Sequence, residues 1–245
     1  MNIDKISVVI PILNEEKNLK KLIKEISKVK IKMKLKNFEV LFVDDNSTDK
    51  TKIILNKVIK KNNFVKYILR KQNIRDLSKS CIMGFDKSTY ENIIVMDGDL
   101  QHPPRYITHL AKLFFNKKAD IVVGSRNLFN KRDPGLSFVR YVSSIIIIYV
   151  FNFFLHFKTS DPLSGFFIFK KKIYRKNKKK LYGNGYKILA DLIYSSQESL
   201  KILDQNIFFD TRKSGKSKMN FTVLIQLMIF ILRSFLFKWK KKILI

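Results

Sequence analysis

The sequence of 245 residues has a single cysteine, Cys81, and three histidines. One cysteine excludes a disulfide framework and a zinc site built from several thiolates within the chain, and it favours a reducing compartment. Neither the Gly-x-Gly-x-x-Gly nor the Gly-x4-Gly-Lys-Ser/Thr pattern occurs, which argues against a dinucleotide-binding fold and a P-loop. The N-terminus enters a strand-like segment without a preceding basic region and long apolar run, so we expect no secretory signal.

Acidic residues are scarce: 20 stand against 49 lysines and arginines, which gives a net charge of +29. Such an excess indicates an anionic partner, either nucleic acid or an anionic lipid surface, although a compositional bias of the genome would produce the same charge. The basic residues are spread along the chain, and the run 170–180 is typical of a solvated face. Because no helix-turn-helix, zinc-finger or RNP pattern accompanies them, a nucleic-acid-binding module is only a remote alternative, and we expect no nucleic-acid partner.

Short apolar, β-branched runs alternate with segments of helical periodicity. The predicted strands are residues 6–11, 38–44, 65–69, 92–96 and 121–124, and the clearest predicted helices are residues 18–29 and 49–60. Strands that alternate with helices indicate βαβ units and a mostly parallel sheet. Nearly continuous apolar strands suit a sheet that is covered on both faces. The sequence therefore predicts an open α/β fold whose sheet is flanked by helices.

Polar clusters follow three of the predicted strands, at the edge where open parallel sheets bind ligands. They are Pro11, Asn14 and Glu15 after the first strand, Asp44 to Ser47 after the second, and Asp97, Gly98, Asp99 and Gln101 after the fourth. Asn46 or Ser47 could alternatively cap the following helix.

The Asp97-Gly98-Asp99 turn is the most specific of these clusters. Two carboxylates one residue apart can face one hard cation, and Gly98 lets the backbone fold tightly between them. Mg²⁺ and Mn²⁺ take oxygen ligands and leave positions open for substrate phosphates. Gln101 could add a carbonyl oxygen, whereas a structural role is the better interpretation of His102. Basic side chains that could hold a diphosphate are Arg126, Arg140, Arg212 and Lys218.

In these motifs the sequence resembles the inverting glycosyltransferases of family 2, in the branch typified by dolichyl-phosphate mannose synthases. The resemblance covers roughly residues 5 to 220. It rests on six motifs in order: VVIPILNEEKNL, VDDNSTDKT, MDGDLQHPP, GSR, DPLSGFFIF and RKSGKSKMN. It implies a GT-A type nucleotide-diphospho-sugar transferase fold with a catalytic domain at residues 1–220.

The resemblance also implies roles for individual residues. The nucleotide would be lined by Pro11, Leu13, Glu15, Val43, Asp44 and Asp45 and closed over by Arg212, Ser217 and Lys218. The metal, Mg²⁺ or Mn²⁺, would be held with the diphosphate by Asp97, Asp99 and Gln101. Arg126 and Arg140 would face the acceptor phosphate, and Ser164 and Gly165 would border the sugar pocket. The catalytic set would then be Asp99, Arg126 and Arg140.

The implied reaction moves a hexose, most simply mannose from GDP-mannose, onto a polyprenyl or dolichyl phosphate. A phosphate dianion needs no strong general base, which fits the lack of an obvious catalytic histidine. An alternative enzyme would use a UDP-sugar or a saccharide hydroxyl acceptor; a hydroxyl would require a base, for which Asp161 and Asp191 are candidates. A non-catalytic scaffold at the membrane is disfavoured by the intact Asp-x-Asp pair.

Two apolar stretches, residues 142–157 and 221–237, are each shorter than the roughly 20 residues of a spanning helix. Residues 221–245 predict an amphipathic C-terminal helix that carries Gln226 and Arg233 on its polar side and ends with Trp239 and three lysines. A charge such as Arg233 is costly at the bilayer centre. We therefore expect this segment to lie in the plane of the membrane, at its cytoplasmic face. The alternative is packing on the protein itself or in a homo-oligomer.

Overall fold

The computed structural model describes residues 5–72, 74–125, 159–185, 187–196 and 199–208. The strands are β1 (Ile6–Ile12), β2 (Phe38–Asp44), β3 (Val65–Leu69), β4 (Asn92–Val95), β5 (Ile121–Ser125), β6 (Phe167–Lys170) and β7 (Ile202–Asn206). The helices are α1 (Leu19–Lys32), α2 (Thr51–Ile59), α3 (Leu77–Lys87), α4 (Ile107–Asn116), α5 (Lys171–Asn177) and α6 (Ile188–Ser196). Short 3-10 turns cover Pro104–Tyr106 and Lys178–Lys180.

The described strands form one seven-stranded sheet in the order β3-β2-β1-β4-β6-β5-β7. β1 pairs in parallel with both β2 and β4, and β2 pairs in parallel with β3. β6 runs antiparallel between β4 and β5, while β5 and β7 are parallel. The carboxyl ends of β1 to β4 therefore lie at one edge of the sheet, and β6 begins at that same edge because its direction is reversed.

Helices cover both faces of the sheet, as the apolar strands predict. In β1, Val8 belongs to a core beneath α1, α2 and α4, whereas the next residue, Val9, belongs to a core beneath α3, α5 and α6. Successive side chains of a strand point to opposite faces, so one apolar strand supplies two cores. α3 comes especially close, because a Cβ added at Gly84 would overlap a Val9 methyl group.

Most predicted boundaries agree with these elements. The bounds of β2 and β3 are as predicted, and the other three predicted strands each differ by one residue at their ends. The helix predicted for residues 49–60 is shorter, because α2 begins at Thr51, and neither Asn46 nor Ser47 caps it. The basic run 170–180 forms α5 and the 3-10 turn after it, with its lysines largely exposed.

The apolar stretches 142–157 and 221–237, and with them the predicted C-terminal helix, lie outside the described residues. Among the helices of the described ranges, none combines the length and apolar character that a bilayer crossing requires.

Candidate active site

The first two loops at the carboxyl edge of the sheet are bonded to each other. The backbone N–H of Asn14 donates to Ser47 Oγ (2.8 Å), and the N–H of Thr48 donates to Asn14 Oδ1 (2.8 Å). Asn14 and Asn46 have positive φ angles of 57° and 63°, a conformation that asparagine tolerates better than most residues. The loops after β1 and β2 therefore form one continuous wall, as their shared position at the sheet edge predicts.

Asp44 is held inside this wall by three donors. Its Oδ1 accepts from the backbone N–H and the hydroxyl of Ser47 at 2.9 and 2.5 Å, and its Oδ2 accepts from the Tyr67 hydroxyl at 2.9 Å. Burial, together with this hydrogen bond to a carboxylate, raises the pKa of the Tyr67 phenol. Asp44 is only 1% exposed, so its buried carboxylate fixes the conformation of the loop after β2.

Asp45 forms a buried ion pair with Arg70 from the end of β3. Arg70 Nε donates to Asp45 Oδ1 at 2.6 Å, and the guanidinium NH2 group also contacts this oxygen. The Asp45 and Arg70 side chains are 9% and 4% exposed. Asp45 Oδ2 accepts the backbone N–H of Asp76 at 2.6 Å. Each carboxylate oxygen can accept more than one hydrogen bond, so a fixed Asp45 retains capacity for a ligand.

The loop after β4 presents Asp97 and Asp99. A Cβ at Gly98 would lie 2.8 Å from Ile12 Cγ2, so this position must be glycine for close packing against the end of β1. Gly98 is not among the residues with positive φ, and the turn is made instead at Leu100, whose φ is 66°. This conformation costs a branched residue about 1–2 kcal/mol. Asp99 Oδ1 supports the turn by accepting the backbone N–H of Gln101 at 3.0 Å.

His102 has a structural role in this loop. Its Nδ1 accepts the backbone N–H of Asp97 at 3.0 Å, and its ring stacks on Phe166 with centroids 5.2 Å apart. An Nδ1 that accepts a hydrogen bond carries no proton, so its 3.6 Å approach to Asp97 Oδ2 is not a salt bridge. The imidazole instead fixes the backbone from which the Asp97 side chain projects.

Ser164 and Gly165 lie where β6 enters the same edge. The Ser164 hydroxyl donates to Gly124 O at 2.7 Å and accepts the Phe166 N–H at 3.1 Å, so it joins β5 to β6. Gly165 lies directly against Asp97, since an added Cβ would be 3.0 Å from both carboxylate oxygens. The structure thus brings the residues predicted to border the sugar together with the predicted metal ligands.

Adding one methyl group at Gly165 is expected to impair the site without unfolding the protein. Gly165→Ala needs no positive φ, and its methyl group would push the part-exposed Asp97 carboxylate aside by a few tenths of an ångström. If Asp97 holds a divalent cation, activity should fall about 10- to 100-fold, because small displacements of a ligating group are costly, with a higher Mn²⁺ requirement and little change in Tm. Wild-type activity and metal dependence would show that Asp97 does not hold an essential cation.

The carboxylates suit a hard divalent cation that is shared with a substrate. The described residues contain no group of three or more histidine, cysteine or acidic side chains that could enclose a metal by themselves. Mg²⁺ and Mn²⁺ sites at phosphates commonly use only one or two carboxylates, with phosphate oxygens and water completing the shell. Asp97, whose side chain is 37% exposed, and the more buried Asp99 fit this type of site, and Gln101 is half-buried beside them.

The two carboxylates considered as general bases differ in their surroundings. Asp191 on α6 accepts hydrogen bonds from the N–H groups of Tyr182 (3.0 Å) and Gly183 (2.8 Å) and from the Ser195 hydroxyl (3.2 Å). This carboxylate therefore serves to hold the chain before α6. Asp161 is buried at the start of the loop that leads to Ser164, and its backbone O accepts the Ser164 N–H at 3.1 Å.

The remaining predicted site residues divide into two groups. Pro11 and Val43 are buried partners in β1 and β2, Leu13 follows at the wall, and Glu15 contacts the Gly98 position with its Cγ. Five predicted phosphate-binding residues lie outside the described residues: Arg126, Arg140, Arg212, Ser217 and Lys218.

Several residues that shape the site were not predicted as such. Tyr67, Arg70 and Asp76 hold Asp44 and Asp45 at the end of β2, and none belongs to a motif that indicates this role. The burial of Lys187, immediately before α6, was also not predicted: the residue is 5% exposed, and burial lowers its pKa to about 7. A single lysine in so basic a sequence carries no signal of burial.

Comparison with known proteins identifies the family. The family model of glycosyl transferase family 2 matches residues 7–178. The dolichol-phosphate mannosyltransferase of Pyrococcus furiosus is 31% identical over 241 residues, covering 98% of this chain and 65% of that protein. The enzyme of the same name from Mycosarcoma maydis is 30% identical over 227 residues, covering 90% of this chain and 75% of that protein.

The fold is also found among solved structures. Glucosyl-3-phosphoglycerate synthase from Mycobacterium tuberculosis, solved with Mn²⁺, UDP and glucosyl-3-phosphoglycerate, superimposes with a TM-score of 0.69. The alignment covers 95% of this chain and 78% of that chain at 16% sequence identity, so the likeness concerns the fold. It confirms the predicted GT-A type sheet with its flanking helices. On the family match and the two relatives, the chain belongs to glycosyl transferase family 2.

Proposed function

We propose that the protein is an inverting glycosyltransferase that moves a hexose from a nucleotide-sugar to a polyprenyl phosphate at a membrane surface. The observation that carries this proposal is the packing of the Asp97-Gly98-Asp99 turn on Ile12 and Glu15, at the same carboxyl edge of the sheet as the Asp45 loop. Relatives named dolichol-phosphate mannosyltransferase support the acceptor class. A further relative, 26% identical over 213 residues, is named dodecaprenyl-phosphate galacturonate synthase.

On the donor side, Asp97, Asp99 and Gln101 would hold Mg²⁺ or Mn²⁺ with the diphosphate. The metal would neutralise charge on the departing nucleoside diphosphate. The nucleoside would lie along the wall formed by Pro11, Leu13, Glu15, Val43, Asp44 and Asp45. The rigid pairing of Asp45 with Arg70 suits this role, because a fixed acceptor needs no reorganisation when the ligand binds.

On the acceptor side, the nucleophile would be a phosphate oxygen of the lipid. A phosphate monoester with a second pKa near 6 is largely a dianion at neutral pH, so it can attack the anomeric carbon without a protein base. A bond forms from the phosphate oxygen to that carbon while the bond to the nucleoside diphosphate breaks, which inverts the configuration. A sugar hydroxyl acceptor would need a base, and Asp191, one of the two candidates, is engaged by three donors.

Arg126 and Arg140 would pair with the acceptor phosphate, and Arg212, Ser217 and Lys218 would close over the nucleotide. Guanidinium groups match phosphate oxygens in a bidentate way. Arg140→Ala is therefore expected to raise the KM for lipid phosphate about 10- to 100-fold, from a charged hydrogen bond of roughly 1.5–3 kcal/mol. The KM for the nucleotide-sugar should change much less, and an equal rise in both would contradict this assignment.

The decisive test is an incubation of the purified full chain with Mn²⁺, polyprenyl phosphate and a panel of GDP- and UDP-sugars. We expect a sugar-phosphate lipid from one donor, with GDP-mannose as the leading candidate. Transfer to free saccharides in place of the lipid would refute the proposed acceptor.

Association with the membrane would come from residues 221–245, as an in-plane helix at the cytoplasmic face. Carbonate should release the full-length protein from membranes at least in part. Complete resistance to carbonate, together with a tag after Ile245 that is accessible only from outside the cell, would refute this arrangement.

A further inference from the structure

The segment before α6 is clamped at both ends by carboxylates. Asp191 accepts the N–H groups of Tyr182 and Gly183, and Asp76 Oδ2 accepts the N–H of Gly185 at 2.8 Å. Gly185 O in turn accepts the N–H of Ser78 at 2.9 Å. Gly183 and Gly185 have φ angles of 67° and 84°, which favour glycine. The chain of residues 182–185 therefore has a specified path against the start of α3.

Asp76 joins residues 182–185 to the wall formed by the loops after β1 and β2. Its backbone N–H donates to Asp45 Oδ2 at 2.6 Å, its Oδ1 caps α3 by accepting the Lys79 N–H at 2.9 Å, and its Oδ2 binds Gly185. The residue is 9% exposed, so these bonds compete little with water. A helix cap needs only one of the two carboxylate oxygens, and the second is committed to a segment 109 residues away.

The contacts between Asp76 and residues 182–185 lie at the carboxyl edge of the sheet, where the predicted site residues also lie. β3 is parallel to β2 and ends at the carboxyl edge, so α3, which follows it, begins at that edge. Cys81, on the second turn of α3, is fully buried, and burial raises the pKa of its thiol, with the charges of Asp97 and Asp76 as further causes. Asp76 caps α3 at this edge, where its side chain accepts the Lys79 N–H.

The clamped segment leads directly to Lys187, whose backbone O accepts the Asp191 N–H at 2.9 Å as α6 begins. Lys187 is the buried cation closest in sequence to the clamp, at 5% exposure. Lys187 thus lies two residues beyond Gly185 in the sequence, immediately before α6.

We propose that Asp76 is a positioning residue for the transfer reaction: it ties the wall at Asp45 to residues 182–185 and fixes the position of both at the carboxyl edge of the sheet. This inference rests on the proposed function. In this role Asp76 touches neither donor nor acceptor. Its carboxylate acts through Gly185, and its backbone N–H acts through Asp45.

Asp76→Ser separates this role from helix capping. Serine is about as good an N-cap as aspartate, so α3 should keep its cap and Tm should change by only a few degrees. The shorter side chain cannot also reach Gly185, and the backbone bond to Asp45 remains. We therefore expect kcat to fall about 10- to 100-fold while the KM for the nucleotide-sugar changes less than about threefold. Lys87→Ala, at the exposed end of the same helix, is the matched control and should keep wild-type kinetics.

A second measurement is independent of the acceptor. Binding of GDP or UDP with Mn²⁺ should slow amide hydrogen exchange of residues 181–187 in the wild-type protein and in Lys87→Ala, but not in Asp76→Ser. Wild-type kcat in Asp76→Ser, or no slowing of exchange in the wild-type segment, would overturn the inference. A different result is that the lipid-phosphate assay fails while nucleotide binding still slows amide exchange in the wild type and not in Asp76→Ser. That result would refute the proposed acceptor and support the role of Asp76.

Discussion

Asp99→Asn is expected to lower glycosyl transfer about 10²- to 10³-fold while the fold is retained. The substitution removes the negative charge that would hold the divalent cation, and losses of this size are typical when a preorganised electrostatic group is removed. The amide oxygen can still accept the Gln101 N–H that Asp99 Oδ1 now accepts at 3.0 Å. The turn at Leu100 should therefore persist, and the loss should be confined to the chemistry.

Steady-state transfer assays with a Mn²⁺ titration would measure this effect, and circular dichroism and Tm would confirm the fold. Asp97→Asn should behave similarly, and excess EDTA should abolish wild-type activity. Asp86→Asn, an exposed carboxylate at the far end of α3, is the control and should remain active. Full activity of Asp99→Asn, or of the wild type in EDTA, would show that the Asp-x-Asp pair holds no essential metal.

The sheet could be predicted where strands are apolar and parallel. β2 and β3 have the predicted bounds because their hydrophobic runs end at polar turns. β6 and β7 were not predicted. β6 is four residues long and is defined by antiparallel pairing with strands more than 40 residues away, and β7 ends in Asp204, Gln205 and Asn206 at the edge of the sheet. Long-range pairing leaves little local signal in such strands.

In the site, too, the candidate metal ligands could be predicted from the sequence, whereas the backbone features that position them could not. Asp97 and Asp99 could be found because two carboxylates after a buried strand form a local pattern. The left-handed residue of their loop could not, since Gly98 was the natural candidate and Leu100 adopts that conformation instead. Close packing of Gly98 on Ile12 explains the glycine, and that contact is made only when the first and fourth strands are adjacent.

The buried pair of Asp45 and Arg70 leads to the second large effect. Arg70→Met is expected to lower the free energy of unfolding by about 3–5 kcal/mol, because it leaves a buried carboxylate without its counter-charge. It also removes the hydrogen bond that the Arg70 guanidinium donates to Ile74 O at 2.6 Å. Chemical denaturation would measure the loss. Lys71→Met makes a similar change at an exposed neighbour and should alter stability by less than about 0.5 kcal/mol.

A double variant separates the stability of this pair from its function. Adding Asp45→Asn to Arg70→Met removes the unpaired charge, while the amide oxygen can still accept the Asp76 N–H, so at least half of the lost stability should return. If Asp45 contacts the nucleotide, the double variant should still bind GDP or UDP with Mn²⁺ at least about tenfold more weakly than the wild type, although its stability has partly recovered. Calorimetry would measure this affinity. Wild-type affinity in the double variant would show that Asp45 has only a structural role. In that case its charge is needed only to pair with Arg70, and neither charge is needed once both are removed.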